Sequence, residues 1–310
     1  MKFKKMTPRC LIGFTLSGLL LLLSPAVFSA TSKSILHHLS IDGSEREYRI
    51  YAPASQKNEK LPLMIVLHGG LGNAEEMEAT TGMNDIAEKE KFIVAYPNGT
   101  GGRFLRNRRT WNAGTCCGPA EKNKIDDVKF IDSMLTAIEK NYPVNKKKVY
   151  IAGLSNGAMM AYRLACEIPD KIAAIIPVAG TLNTKRPCEG VNQVAILHVH
   201  GKEDKHVPVN GGMGPKGITK VSYRSVDESL NRMMKSRQCN KPQQKNLDNQ
   251  LIETNYQCKN GAPVSSILIV KGEHTWPGSL GKRHKESDNN NFITSRKAWE
   301  FARQFETPSQ

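Results

Sequence analysis

Apolar runs that end in glycine alternate along this chain with stretches of helical periodicity. From Ile35 to Ile41 and again from Glu45 to Tyr51, polar and apolar residues interleave about a turn at Asp42-Gly43-Ser44, the pattern of an antiparallel hairpin. Leu61 to Leu67 is a continuous apolar run closing on Gly69-Gly70, and a helical stretch over Ala74 to Glu90 follows it. The unit recurs as strand Phe92 to Tyr96, a long loop to Lys124, helix Asp126 to Asn141 and strand Lys148 to Ala152. Helix Asn156 to Glu167 and strands Ala173 to Val178 and Val194 to Val199 come next. Past a loop through Gly217 lie helix Ser225 to Ser236, a polar segment, strand Ser266 to Val270 and a last helix over Asn291 to Phe305. Buried strands alternating with helices predict the α/β class: a mostly parallel sheet with helices on both faces and an antiparallel N-terminal hairpin at one edge.

The first thirty residues break this rhythm. Lys2, Lys4, Lys5 and Arg9 precede a mostly apolar stretch from Cys10 to Leu23, and Ser24-Pro25 ends it before small residues reach Ala30. That is the build of a secretory signal peptide cleaved after Ala30, and the run falls short of the roughly twenty residues a spanning helix needs. Residues 1–30 are therefore read as a leader and 31–310 as one domain, with no linker or trailing module. The expected location is outside the cytoplasm, extracellular or periplasmic, with no stable membrane insertion after cleavage.

Composition narrows the class further. With 39% hydrophobic and 24% charged residues the chain is neither disordered nor fibrous. Loss of the leader lowers the formal charge from +15 to +11, still strongly basic. Yet Lys and Arg are scattered, clustering only briefly at Arg103 to Arg109 and Lys146 to Lys148, and no nucleic-acid partner is expected. Of 7 cysteines, Cys10 leaves with the leader, and an even set in an exported chain predicts disulfides. Without a C-x-x-C pair or nearby histidines at zinc spacing, neither metal nor cofactor is expected. Cys239 and Cys258 flank one polar stretch and make one plausible bridge, while adjacent Cys116 and Cys117 are each expected to seek Cys166 or Cys188.

The strongest local signal is Gly153-Leu154-Ser155-Asn156-Gly157, set directly after a predicted strand and before a predicted helix. In that context G-x-S-x-G puts a serine on a sharp turn clear of the sheet, as a nucleophile requires. Serine needs a base to take its proton and an acid to hold that base, in the order Ser, Asp, His for this architecture. Asp204 lies just past the end of strand Val194 to Val199, with Glu203 as its rival, and His274 follows the last strand. His68, His198 and His200 read as hydrogen-bonded structural residues, and His37, His38, His206 and His284 as surface or loop residues. The oxyanion of acyl transfer needs two backbone N–H donors, expected from Asn156 and from Gly70, with Leu71 as alternate. Trp276 and Trp111 are expected to wall a shallow acyl or sugar site by stacking.

Arg109-Thr110-Trp111-Asn112-Ala113-Gly114 with Cys116-Cys117-Gly118, Asp126-Asp127-Val128, Gly153 through Met160, His198-Val199-His200-Gly201 with Asp204, and His274-Thr275-Trp276-Pro277-Gly278 occur here in order. Together they resemble secreted esterases of the polyhydroxybutyrate depolymerase and feruloyl esterase type, from about Ile35 to Phe305. The resemblance implies an α/β-hydrolase fold with Ser155, Asp204 and His274 as triad, and disulfides among Cys116, Cys117, Cys166 and Cys188. It also implies helix-capping and loop-anchoring roles for Asp126 and Asp127. The activity implied is a serine carboxylesterase working through an acyl-enzyme on hydroxyalkanoate oligomers or related short esters. Feruloyl or acetylxylan esters are the alternative substrates. Without an appended binding module, soluble rather than crystalline substrates are expected. A peptidase or thioesterase with the same triad, or a non-catalytic binding protein, are the remaining classes, and the intact triad set argues against the last.

Overall fold

The structure is a computed structural model that describes Met1 and residues 34–55, 59–102, 107–280 and 292–308. The expected leader and its cleavage after Ala30, together with His284 and Asn291, lie outside the described residues. Strands β1 (Ile35–Ile41) and β2 (Ser44–Tyr51) form the expected hairpin, and β3 (Leu61–Leu67) follows. Helices α1 (Ala74–Thr81) and α2 (Met83–Glu90) lead to β4 (Ile93–Pro97) and to a short ribbon of β5 (Thr100–Gly101) and β6 (Arg109–Thr110). Then come α3 (Gly118–Lys122), α4 (Asp127–Asn141), β7 (Val144–Leu154), α5 (Asn156–Glu167), β8 (Ala174–Val178) and β9 (Ala195–Gly201). The chain continues through α6 (Val226–Met234), β10 (Gln243–Asn246), β11 (Leu251–Tyr256), β12 (Val264–Ile269) and α7 (Thr294–Ala302).

The main sheet has ten strands in the order β1-β2-β4-β3-β7-β8-β9-β12-β11-β10. From β4 to β12 neighbours run parallel, and both edges are antiparallel. This is the α/β-hydrolase fold. Alternation along β3 sorts its side chains to two faces: Leu63, Ile65 and Leu67 pack with Phe130, Met134, Leu164 and Met233 of α4, α5 and α6. Met64 and Val66 pack on the opposite face with Met77, Ile86 and Trp299 of α1, α2 and α7. Strands covered on both sides must be apolar throughout, and β8 and β9 are buried at every position.

Three elements depart from expectation. The helix over Ala74 to Glu90 breaks at Gly82, whose φ of +61° closes α1 and lets α2 start in a new direction. The last helix begins at Thr294, later than its apolar spacing suggests. The polar segment before β12 forms the β10–β11 hairpin; β10 is exposed at every position, so no apolar alternation announces it.

The cysteines also pair differently. Cys239–Cys258 is bridged as expected, but Cys116 joins Cys117 and Cys166 joins Cys188. Cys166 lies in the last turn of α5, in the large cluster on one face of the sheet, and Cys188 on the returning loop packs against that cluster. Cys116 and Cys117 belong to a separate cluster with Ala113, Met159, Val207 and Tyr223, which leaves each other as partner. Among the described residues no helix is long and apolar enough to cross a membrane.

Candidate active site

Ser155 occupies the corner between β7 and α5 with φ +55° and ψ −116°. A non-glycine residue held there stores on the order of 1–3 kcal/mol and persists only when its surroundings fix it. Its N–H donates to the Val178 carbonyl at 2.8 Å, and its carbonyl accepts from Met159 N at 3.0 Å. The flanking glycines are demanded by close approach. A Cβ on Gly157 would lie 2.5 Å from the Leu67 carbonyl oxygen, and one on Gly153 would lie 2.5 Å from the Gly157 backbone. The ends of β3, β7 and β8 thus meet at the serine.

Ser155 Oγ lies 2.8 Å from His274 Nε2, and His274 Nδ1 lies 2.7 Å from Asp204 Oδ2. Asp204 Oδ1 accepts the N–H groups of His206 and Val207 at 2.8 and 2.9 Å. Glu203 is exposed, and its N–H donates to the Gly272 carbonyl at 2.9 Å, which ties the Asp204 loop to the His274 loop. Burial works to raise the Asp204 pKa, but hydrogen bonds and charge from His200 and His274 outweigh it and hold the carboxyl well below its usual range. An ionised Asp204 accepts the Nδ1 proton, so Nε2 presents a lone pair to the serine hydroxyl; the three groups can activate Ser155 as a nucleophile.

Gly70 and Asn156 sit side by side: a Cβ on Gly70 would come 3.6 Å from Asn156 Cβ. As the first residue of α5, Asn156 has an amide without an intrahelical acceptor. Leu71, the alternate donor, gives its N–H to the Arg109 carbonyl at 2.8 Å and is thereby occupied. The Asn156 side chain pairs both ways with the Trp111 backbone, accepting at 2.7 Å and donating at 3.0 Å. Trp111 Nε1 donates to the His68 carbonyl at 3.0 Å. His68 Nε2 accepts from Gly99 N at 3.0 Å, which assigns the ring proton to Nδ1, facing the Gly69 carbonyl at 2.8 Å. Burial brings the His68 pKa down to about 4, so the ring stays neutral beside the Gly69-Gly70 loop.

The expectation that two tryptophans wall the substrate site is overturned. Trp111 is 0% and Trp276 2% exposed. Trp111 turns inward to bond the His68 carbonyl, and Trp276 Nε1 donates to Ser295 Oγ of α7 at 3.0 Å. Leu71 and Ile218 are exposed on the loops beside the serine, with Ile218 Cδ1 3.5 Å from where a Gly70 Cβ would be. These residues lie in glycine-rich loops where no periodicity marks them. His206, expected in a loop, also stacks on the His274 ring at 4.7 Å; its nearness to Asp204 in sequence was the available signal. Asp204, His206 and His274 bring ligand-type atoms within 4.8 Å of one another, but the Asp204 oxygens are already taken by two amides and by His274.

Residues 46–205 match the family described as Esterase PHB depolymerase. Feruloyl esterase B of Piromyces equi is 27% identical over 252 residues, covering 80% of this chain and 42% of its own. A bifunctional acetylxylan esterase/xylanase of Neocallimastix patriciarum is 30% identical over 173 residues, covering 56% of this chain and 23% of its own. The chain thus spans less than half the length of either relative. Among solved structures, an acetyl xylan esterase from Aspergillus awamori superposes with a TM-score of 0.57 over 86% of this chain and 98% of its own. At 14% identity that likeness is one of fold.

Proposed function

The chain belongs to the esterase PHB depolymerase family, and on that premise we propose that it is a serine hydrolase of carboxylic esters. The observation that carries this reading is the hydrogen-bonded line from Ser155 Oγ through His274 to Asp204, at 2.8 and 2.7 Å. Ser155 Oγ attacks the ester carbonyl as its proton passes to His274 Nε2, and the N–H groups of Gly70 and Asn156 hold the developing oxyanion. The carbonyl–alkoxy bond then breaks, His274 returns the proton to the leaving alcohol, and an acyl-enzyme remains. Water attacks that acyl group with His274 as base, releasing the acid and restoring Ser155. Asp204 keeps the imidazole oriented and balances its charge in both halves.

The substrates of this reading are hydroxyalkanoate oligomers or related short esters. A second reading, feruloyl or acetyl esters of plant polysaccharide, is favoured by the names of the two relatives. Export to an extracellular or periplasmic space belongs to the same proposal, and disulfides at all six cysteines beyond Cys10 support it. The test is a rate comparison on hydroxybutyrate trimer, methyl ferulate, acetylated xylan and a long-chain triglyceride, with Ser155→Ala as control. The trimer as best substrate supports the first reading, and ferulate or acetylated xylan supports the second. Ser155→Ala should lower turnover on the order of a millionfold. Substantial activity in that variant overturns the proposal, and triglyceride as the best substrate overturns both substrate readings.

A further inference from the structure

Behind Asp204 lies a line of buried polar groups that the mechanism does not use. Tyr162 of α5 and His198 and His200 of β9 are 0%, 0% and 2% exposed. Tyr162 Oη lies 2.9 Å from His198 Nδ1, and His198 Nε2 lies 3.0 Å from His200 Nδ1. His200 Nε2 faces two acceptors, the Val207 carbonyl at 2.8 Å and Asp204 Oδ2 at 3.3 Å. A carbonyl and a carboxylate only accept, so His200 carries its proton on Nε2. When His200 carries only that proton, its Nδ1 takes the proton of His198 Nε2, and His198 Nδ1 takes that of Tyr162. Every donor in the line therefore points toward the triad acid. Burial keeps this polarity in place: it lowers the His198 pKa well below the usual histidine range and raises that of the Tyr162 hydroxyl.

We infer that His200 is a positioning residue for the triad acid, fixing Asp204 Oδ2 directly and Oδ1 through Val207. Its Nε2–H is shared between the carboxylate and the Val207 carbonyl, and Val207 gives its own N–H to Asp204 Oδ1 at 2.9 Å. One donor thus holds the carboxylate from behind and also holds the turn that grips its other oxygen. His198 and Tyr162 hold the tautomer that makes this possible. A buried histidine that merely filled space would not need its Nε2 proton in one place; this one does, because Asp204 must keep its oxygen in the plane of the His274 Nδ1 proton as charge develops.

This inference rests on the hydrolase reading, and the experiment separates the two. His200→Gln keeps a donor near the Nε2 position, whereas His200→Asn keeps one near Nδ1 and withdraws from Asp204. Steady-state kinetics of purified protein on p-nitrophenyl acetate should show kcat down about tenfold to a hundredfold in His200→Asn with KM within about twofold, as loss of a donor to a charged group implies. His200→Gln should stay within about fivefold of the parent. Equal kcat values in the two variants overturn the inference. So does a folded His200→Gln protein that has lost more than tenfold in kcat, which decides the matter even if the Asn variant fails to fold. Ser155→Ala is assayed beside them: activity surviving in it sinks the hydrolase reading, whereas an inert Ser155→Ala with indistinguishable His200 variants sinks only the positioning role.

Discussion

At Ser155 the backbone holds a side chain in a region that favours glycine, and the surroundings that enforce this are themselves glycines. Gly157→Ala would drive a methyl to 2.5 Å from the Leu67 carbonyl oxygen, an atom of the central sheet that cannot move aside. Overpacking of this kind costs about 1–3 kcal/mol or more, so thermal unfolding should show a lowered midpoint, and activity should fall with it as the elbow shifts. Asp204→Asn is expected to lower kcat about ten-thousandfold while the protein folds normally, since the amide favours the wrong imidazole tautomer. Glu203→Gln, at an exposed side chain, should remain near the parent rate. A crippled Glu203→Gln beside a normal Asp204→Asn would move the acid to the neighbouring position.

Between elements, Arg46 of β2 meets Asp127 at the start of α4 at 2.7 Å, and the other Asp127 oxygen accepts from Asn112 N at 2.8 Å. Burial raises the Asp127 pKa while Arg46 works to lower it, and the guanidinium lies over the Phe130 ring at 3.9 Å. Removing the carboxylate leaves Arg46 buried without its counter-charge. Asp127→Ala should cost about 3–5 kcal/mol in denaturant unfolding. It should also lower kcat, because the Trp111 loop that supports Asn156 loses its anchor; an unchanged unfolding midpoint would contradict this. The same scale separates what the chain revealed as a sequence from what it did not. Strands covered on both faces and the Ser155 corner were legible, because burial and turn geometry act on consecutive residues. The β10–β11 hairpin has no buried alternation to read, and the fates of Trp111 and Cys116 depend on where a loop travels, which spacing along the chain does not encode.

Taken whole, the molecule should be acid-sensitive. His68 and His198 both have pKa values lowered by burial, His68 to about 4. Between about pH 6.5 and 4 the unfolded chain binds protons that the native chain refuses, so this stability is present at neutral pH and is lost as pH falls through that window. His68 alone accounts for at most about 3 kcal/mol, and urea unfolding at pH 7, 5.5 and 4.5 should show a falling midpoint, against a flat profile if the rings were free to charge. Reduction should act independently. The Cys166–Cys188 bridge spans 22 residues, and opening it is expected to cost about 3 kcal/mol in the unfolded-state entropy view, read as a lower melting temperature with dithiothreitol. Past Asp204 the chain is tied at its base, with Gly212 and Tyr223 bonded both ways at 2.9 and 3.0 Å and Val226 N on the Val209 carbonyl at 2.9 Å. Between those ties Met213 and Ile218 are exposed, while Lys216 N bonds back to the Lys205 carbonyl at 2.9 Å, next to Asp204. A loop so moored is a graft point with a limit: exposed positions such as 213 and 218 are free to vary, whereas Gly214, where a Cβ would lie 2.1 Å from the His206 carbonyl oxygen, is not.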